Sequence, residues 1–245
     1  MKPEAIKNNT MTSPNSKFAM KNDHFPGLDR PTTIVVLSSA FLLILWSIGS
    51  SVLDAGPISA SIITYGLYLF YWMYALIRKN PLMQRLMIFG TVAGLLELIT
   101  DHYLVDTIHS LVYPEGEWMI WSSPAYMPFA WSNVLLQLSF IGVLLMKKYN
   151  LLWASVILCI AGGMYIPLYE HLASEAGWWW YNDNTAMIFN APIYVILCEA
   201  LISLSLPLIV SFSEYHSLRK TLYMGLGEGL WIFISAVLAY TVAHG

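Results

Sequence analysis

Long apolar stretches separated by short polar connections dominate the chain. A helix needs about 20 predominantly apolar residues to cross a membrane. Seven stretches have that character: residues 32–53, 58–77, 82–106, 121–146, 151–171, 187–212 and 222–243. The pattern predicts an all-α fold, a bundle of seven transmembrane helices over residues 31–245. The polar residues 1–30 are predicted to form a cytoplasmic tail, because they contain no apolar run.

The basic residues are concentrated before the first stretch and in every second connection between the stretches. Of the 12 Lys and Arg residues, 11 lie before the first stretch or at the second, fourth and sixth connections, counted along the chain, and Arg85 lies close to the second connection, at the start of the third stretch. Cytoplasmic connections of membrane proteins carry the excess of Lys and Arg. We therefore expect the N-terminus in the cytoplasm, the C-terminus outside, and a multi-pass protein of a bacterial inner membrane or an equivalent membrane.

The composition narrows the class of protein further. Hydrophobic residues make up 57% of the chain and charged residues 11%, whereas soluble domains carry about 25% charged residues. The expected partners are the bilayer and a lipid-soluble ligand, not nucleic acid, and the oligomeric state stays open. Cys159 and Cys198 lie in apolar runs and are expected to be small core residues.

Two carboxyl groups stand out in the third stretch. At helical spacing Gly90, Gly94, Glu97 and Asp101 fall on one stripe. The glycines allow a neighbouring helix to approach closely. A charge in hydrocarbon costs at least about 2.5 kcal/mol, so the acids are expected to face that neighbour. An ionisable residue inside a membrane marks a candidate functional site.

Further acids occur at comparable depth in other stretches. With a rise of about 1.5 Å per residue, Glu97 and Glu199 reach similar depth from opposite sides. Glu170 lies near the outer end of the fifth stretch, whereas Glu228 lies closer to the cytoplasmic end of the seventh. No Lys or Arg lies deep in any stretch, so at least one of these acids is expected to be protonated and able to act as a general acid. The alternative is that each acid is neutral and only bridges two helices.

Other polar and aromatic residues give weaker indications. His102 and His171 each follow an acidic residue, but their spacing matches no established metal motif, so we predict neither a metal nor an organic cofactor. Aromatic residues of the outer connections are expected either to form an interfacial belt or to wall a pocket. The candidate substrate-binding residues are Trp121, Tyr126, Trp178, Tyr181, Asn190 and Tyr194.

Several functions are disfavoured by what the stretches lack. A retinal protein needs a Lys in the last helix, and the seventh stretch has none. Ionisation of a diphosphate needs an acidic cluster beside basic groups, and no such combination occurs. Protonation of an apolar substrate by a buried acid, with aromatic faces stabilising the carbocation, remains compatible with the sequence.

The sequence also resembles known families at a few positions. The segment around Glu97 looks like the acidic helix of the small seven-span integral membrane terpene cyclases. The order of Trp178 and Tyr181, then Pro192 and Glu199, is similar to the pattern of membrane carotenoid cyclases and hydratases, although those usually place two acids together after the proline. The resemblance implies acid-initiated cyclisation or hydration of isoprenoids without a cofactor. It matches Glu97 to the first acid and Glu228 to an acid of the last span.

We therefore expect a terpene cyclase-type isomerase or lyase. Glu97 and Glu199 are the predicted acid/base pair, Asp101 supports them, and Glu170 orients a group or accepts the terminating proton. The alternatives are a proton-coupled carrier or a small-ligand membrane-binding protein that uses the same carboxylates, and a partner protein whose acids only hold helices together. No internal repeat is evident in the sequence, which disfavours a carrier.

Overall fold

A computed structural model describes residues 25–182, 185–213 and 218–244. These residues contain seven helices that are long and apolar enough to cross a membrane. The helices are α1 (Arg30–Leu53), α2 (Pro57–Ile77), α3 (Pro81–His102), α4 (Met127–Lys148), α5 (Leu151–Glu175), α6 (Ile193–Ser213) and α7 (Leu218–His244). A π-helical turn over Tyr103–Thr107 extends α3. Of the predicted tail, residues 1–24 lie outside the described residues.

Three helices begin where a polar side chain caps them. Asp29, Asn80 and Asn150 each accept a hydrogen bond from a backbone N–H three residues further on, at 2.7 to 3.0 Å. Such caps satisfy donors that the first turn of a helix leaves free. The short polar connections of the sequence therefore fix the starts of α1, α3 and α5.

In the described residues, six short strands lie at one end of the bundle, three between α3 and α4 and three between α5 and α6. They are β1 (Leu111–Val112), β2 (Met119–Ile120), β3 (Ser123–Pro124), β4 (Trp180–Tyr181), β5 (Met187–Ile188) and β6 (Ala191–Pro192). All pairs are antiparallel: β1 with β4, β2 with β3, and β5 with β6. We call this the strand end, and the opposite end, which carries Arg78, Lys79, Lys147 and Lys148, the basic end.

The predicted starts of the fourth and sixth stretches are wrong. Residues 121–126 and 187–192 belong to β-hairpins and their connections, and the helices begin only at Met127 and Ile193. Trp121 and Phe189 sit in the hairpin turns with φ of 60° and 54°, a left-handed conformation that no helix accommodates. Their apolar side chains extended the hydropathy pattern without extending the helix.

The glycine stripe of α3 is a packing surface, as predicted. A Cβ atom at Gly90 would lie 2.8 Å from the backbone oxygen of Ser132, and one at Gly94 would collide with the backbone oxygen of Pro128. Both contacts are with α4. Helix α3, which carries Glu97, is therefore packed backbone to backbone against its neighbour.

The bundle contains an internal repeat. The segment α3–β1–β2–β3–α4 has the same order of elements as α5–β4–β5–β6–α6. The first hairpin (residues 119–124) reads Met-Ile-Trp-Ser-Ser-Pro, and the second hairpin (187–192) reads Met-Ile-Phe-Asn-Ala-Pro. Both have the same pairing register, with the methionine opposite the proline. Both repeats run from the basic end to the strand end and back.

Contacts around the hairpins recur in the two repeats. Asp101 and His102 in α3 occupy positions equivalent to those of Glu170 and His171 in α5. The recurring contacts are His102 with Trp121 and His171 with Phe189, and the approach of Gly94 to Pro128 and of Gly163 to Ile196. The antiparallel pairing of β1 with β4 joins the two repeats at the strand end. The sequence reading that found no repeat is therefore corrected.

Candidate active site

One cavity lies between α3, α4, α5, α6 and α7 towards the strand end. Its volume is about 100 Å³, and all four acids of the predicted site line it: Glu97, Asp101, Glu170 and Glu199. The remaining lining is largely aromatic and apolar, and it contains neither Lys nor Arg. Aromatic members of the lining are Tyr113, Trp131, Tyr165, Tyr169, Trp179, Tyr181 and Tyr194. Without a cation beside them, four neighbouring buried acids cannot all be ionised together.

Glu97 is the most enclosed of the acids. It comes from the last third of α3 and is 1% exposed. Its Oε2 atom is buried and has no hydrogen-bond partner among the described residues. Asp101 and Glu199 lie close enough to interact with it electrostatically. A buried carboxyl oxygen without a partner facing a cavity is costly, so Glu97 has the free polar group that a reacting substrate can use.

Asp101 is held by a tyrosine from the strand end. It lies one turn beyond Glu97 on α3, and Tyr113 Oη donates a 2.6 Å hydrogen bond to its Oδ2 atom. Tyr113 directly follows β1. Burial, together with the charge of Asp101, raises the pKa of Tyr113 well above its ordinary value. The phenol therefore stays protonated and remains a donor to Asp101.

Glu170 is held by a tryptophan from the second repeat. Trp179 Nε1 donates a 2.6 Å hydrogen bond to Glu170 Oε2. Trp179 directly precedes β4, the strand that pairs with β1. Each repeat therefore carries one acid that is fixed from the strand end, Asp101 by Tyr113 and Glu170 by Trp179.

Glu199 enters the cavity from α6. It is 9% exposed, and its neighbour Cys198 also lines the cavity. A Cβ atom at Gly162 would lie 3.4 Å from the backbone oxygen of Glu199. Close packing of α5 on α6 therefore brings Glu199 to the same space as Glu170.

Glu228 lies elsewhere. It is fully buried but does not line the cavity, and Ser205 Oγ is 3.1 Å from both of its carboxyl oxygens. The contact joins α7 to α6. This placement fits the helix-bridging alternative for Glu228.

The predicted substrate-binding residues divide into two groups. Tyr181 and Tyr194 line the cavity. The lining does not include Trp121, Tyr126, Trp178 or Asn190. Trp121 is 62% exposed in its hairpin turn, Tyr126 is buried at the start of α4, and Asn190 is half-buried in the second hairpin.

Trp178 is part of the scaffold. It is 1% exposed, and its Nε1 atom donates a 2.7 Å hydrogen bond to Ser59 Oγ. Ser59 belongs to α2. Trp178 therefore ties the connection after α5 to the second helix, whereas Trp179 beside it points to the cavity.

The two histidines pack against the hairpins. His102 stacks on Trp121 with ring centroids 4.3 Å apart, and its Nδ1 atom lies 2.9 Å from Asp106 Oδ2. His171 lies beside Phe189 at 5.8 Å. Neither histidine lines the cavity. In the part of the chain that the structure describes, no three His, Cys, Asp or Glu side chains form a group that would hold a metal ion.

Sequence reasoning did not single out Tyr113, Trp131, Tyr165, Tyr169 or Trp179 as site residues. Aromatic residues are frequent along the chain, and the sequence offers no sign of which ones face inwards. The internal repeat is the signal that was overlooked. When the two repeats are compared, a strand follows each acid: β1 follows Asp101 and β4 follows Glu170. The donors to these acids, Tyr113 and Trp179, are residues directly next to the two strands.

Comparisons with known proteins add a family but no activity. No curated protein and no solved structure matches the chain. A family profile matches residues 98–243, more than half of the chain. The matched part contains Asp101, Glu170 and Glu199 and begins directly after Glu97. The chain belongs to the family described as "Domain of unknown function (DUF6989)".

Proposed function

We propose that the protein is a membrane-embedded, acid-initiated cyclase of an isoprenoid or another apolar lipid, or a hydratase or lyase of the same substrate class. The observation that carries the proposal is the convergence of Glu97, Asp101, Glu170 and Glu199 on one aromatic cavity without a cation. The resemblance of the Glu97 segment to membrane terpene cyclases points to the same chemistry.

The chemistry begins with proton transfer. Glu97, in its neutral form, delivers a proton to an alkene or epoxide of the substrate, and a carbocation forms next to the new bond. The faces of Trp131, Tyr165 and Tyr169 stabilise the cation, since aromatic rings attract positive charge. The apolar cavity keeps bulk water away from the cation. This chemistry uses no metal and no organic cofactor.

The proposal includes a position in the membrane. All seven helices cross the bilayer, the basic end faces the cytoplasm and the strand end faces outside, which agrees with the distribution of Lys and Arg. The location is a bacterial inner membrane or an equivalent membrane. Single cysteines at Trp118 and at Lys148, in a chain without Cys159 and Cys198, test it. An impermeant thiol reagent added outside should label only the first of them.

Lipid extracts test the activity. Cells that express the wild type should contain a polyprenyl-derived product that is absent from cells with an empty vector. Glu97→Gln and Glu199→Gln should remove it, because an amide keeps the shape of the carboxyl group but donates no acidic proton. Glu228→Gln is the matched control, since Glu228 is equally buried but lies outside the cavity. Unchanged product in both cavity variants would end the acid/base assignment.

A proton-coupled carrier is the second candidate. The internal repeat favours it, because many transporters consist of two repeats with a binding site between them. The four acids would then bind protons and a ligand in turn. Flux of an isoprenoid-like ligand into vesicles that depends on a proton gradient, without conversion of the ligand, would favour the carrier over the enzyme.

A further inference from the structure

Asp101 and Glu170 occupy equivalent positions in the two repeats, but their hydrogen-bond partners differ in chemistry. The hydroxyl group of Tyr113, which contacts Asp101, is able to donate or accept a hydrogen bond. The indole N–H of Trp179, which contacts Glu170, only donates. Glu170 Oε2 must therefore act as an acceptor in this contact, at 2.6 Å.

Glu97 has different surroundings. Its Oε2 atom has no donor beside it among the described residues, and the position equivalent to Glu97 in the second repeat is Ile166. The carboxyl group of Glu97 does form side-chain hydrogen bonds with Asp101 and Trp131, but it also lies beside the carboxyl groups of Asp101 and Glu199. Neighbouring like charges disfavour its ionised form. A carboxylate that accepts a short N–H hydrogen bond is stabilised in its ionised form. The two repeats therefore provide one acid suited to donating a proton and another suited to receiving it.

We propose that Glu170 is the base that ends the reaction and that Trp179 is its positioning residue. This inference rests on the proposed function. Glu97 gives its proton to the substrate. With an alkene, a carbon–hydrogen bond forms and the π bond breaks; with an epoxide, an oxygen–hydrogen bond forms and a carbon–oxygen bond breaks. After cyclisation, a carbon–hydrogen bond next to the cation breaks, and its electron pair forms a new double bond. The released proton goes to Glu170 Oε1, the oxygen that Trp179 leaves free.

The cycle closes when the proton returns to Glu97. Asp101 interacts with both Glu97 and Glu170, so its carboxyl group is placed to carry this proton from Glu170 to Glu97. No proton is gained or lost overall, and the substrate and product are isomers. Trp179 affects which hydrogen is removed because it fixes the rotamer of Glu170 relative to the cation.

Trp179→Phe tests the inference, since phenylalanine retains an aromatic ring but lacks the N–H group. Loss of a hydrogen bond to a charged group changes the ratio of two competing rates by roughly tenfold. We expect the ratio of the main product to its double-bond isomers and water-captured alcohols to fall by about that factor. Total product should change much less, because initiation at Glu97 is intact. Glu170→Gln, which removes the base itself, should give the same altered mixture.

Trp178→Phe is the matched control, because the neighbouring indole donates to Ser59 and does not line the cavity. It should leave the product ratio unchanged. If Glu97→Gln abolishes product while Trp179→Phe and Glu170→Gln leave its composition unchanged, the inference is overturned and the proposed function stands. Equal loss of all products in Trp179→Phe would also overturn it, since this indicates a structural role alone. Absence of product from the wild type would contradict both proposals.

Discussion

The contact between α7 and α3 gives a quantitative prediction, because three glycines of α7 differ in what surrounds them. An added Cβ atom at Gly229 would lie 2.5 Å from Leu96 Cβ and 3.2 Å from the backbone oxygen of Ala93. Carbon atoms prefer separations of about 3.5–4.0 Å, so Gly229→Ala has to move α7 about 1 Å away from α3. At Gly227 an added Cβ atom meets nothing within 4 Å.

The two substitutions are expected to change the free energy of unfolding in opposite directions. Overpacking of this kind costs about 1–3 kcal/mol, and replacement of a helical glycine by alanine returns up to about 1 kcal/mol. Gly229→Ala should therefore lower the free energy of unfolding by about 1–2 kcal/mol. Gly227→Ala should raise it by about 0.5–1 kcal/mol. Helix α3, from which α7 is displaced, bears Leu96 next to Glu97, so Gly229→Ala should also reduce product formation.

Thermal unfolding in detergent measures the difference. One kcal/mol shifts the Tm by about 2–4 °C in a chain of 150–250 residues. We expect the Tm of Gly229→Ala to lie about 4–10 °C below that of Gly227→Ala. Equal Tm values for the two variants would show that α7 does not pack on α3 through this face, and the arrangement of helices around Glu97 would have to be revised.

The remaining predictions concern single contacts. Tyr113→Phe removes the donor to Asp101, and turnover should fall by about tenfold in a product assay while the Tm changes little. Ser205→Ala leaves Glu228 without its hydrogen bond and should cost about 1–3 kcal/mol of stability, measured by unfolding, without changing the product. Asp29→Ala removes the N-cap of α1 and should cost about 1 kcal/mol. The hydrogen bonds from Thr32 lower the pKa of Asp29, so this contribution is present at neutral pH and is lost as the pH falls through the folded-state pKa. Below that pH, wild type and Asp29→Ala should unfold alike; an undiminished difference in acid would contradict the cap.

The helices and the acids were accessible from the sequence because each leaves a local signal. Apolar length indicates a spanning helix, and a carboxyl group within such a stretch has to face protein. Glu97 and Asp101 share a helix face through their spacing alone. The convergence of Glu170 and Glu199 on the same cavity depended on which helices are neighbours, and spacing carries no such information.

The hairpins were not accessible in this way. Residues 119–124 and 187–192 contain apolar and aromatic side chains and no charged residue directly before α4 and α6, so a hydropathy pattern joins them to these helices. The repeat is also hard to detect, since clear similarity between the two halves is confined to the hairpins. At most other positions, including Glu97 and Ile166, the residues have diverged.

The donors of the site could not be assigned from sequence either. Trp178 and Trp179 are consecutive tryptophans, and nothing in their order tells which one points to Glu170. Only the tertiary structure separates them, because Trp178 reaches Ser59 on α2 and Trp179 reaches the cavity.

Transfer of a solvent-exchangeable proton to an apolar substrate is the central claim, and the reaction in heavy water tests it most directly. Purified protein in lipid nanodiscs would be equilibrated in D₂O and supplied with candidate polyprenyl alkenes, and the product analysed by mass spectrometry. Product formed by the wild type should contain one carbon-bound deuterium from the solvent, and Glu97→Gln should form none of this product. A product without solvent deuterium, or the same labelled product from Glu97→Gln, would contradict the account.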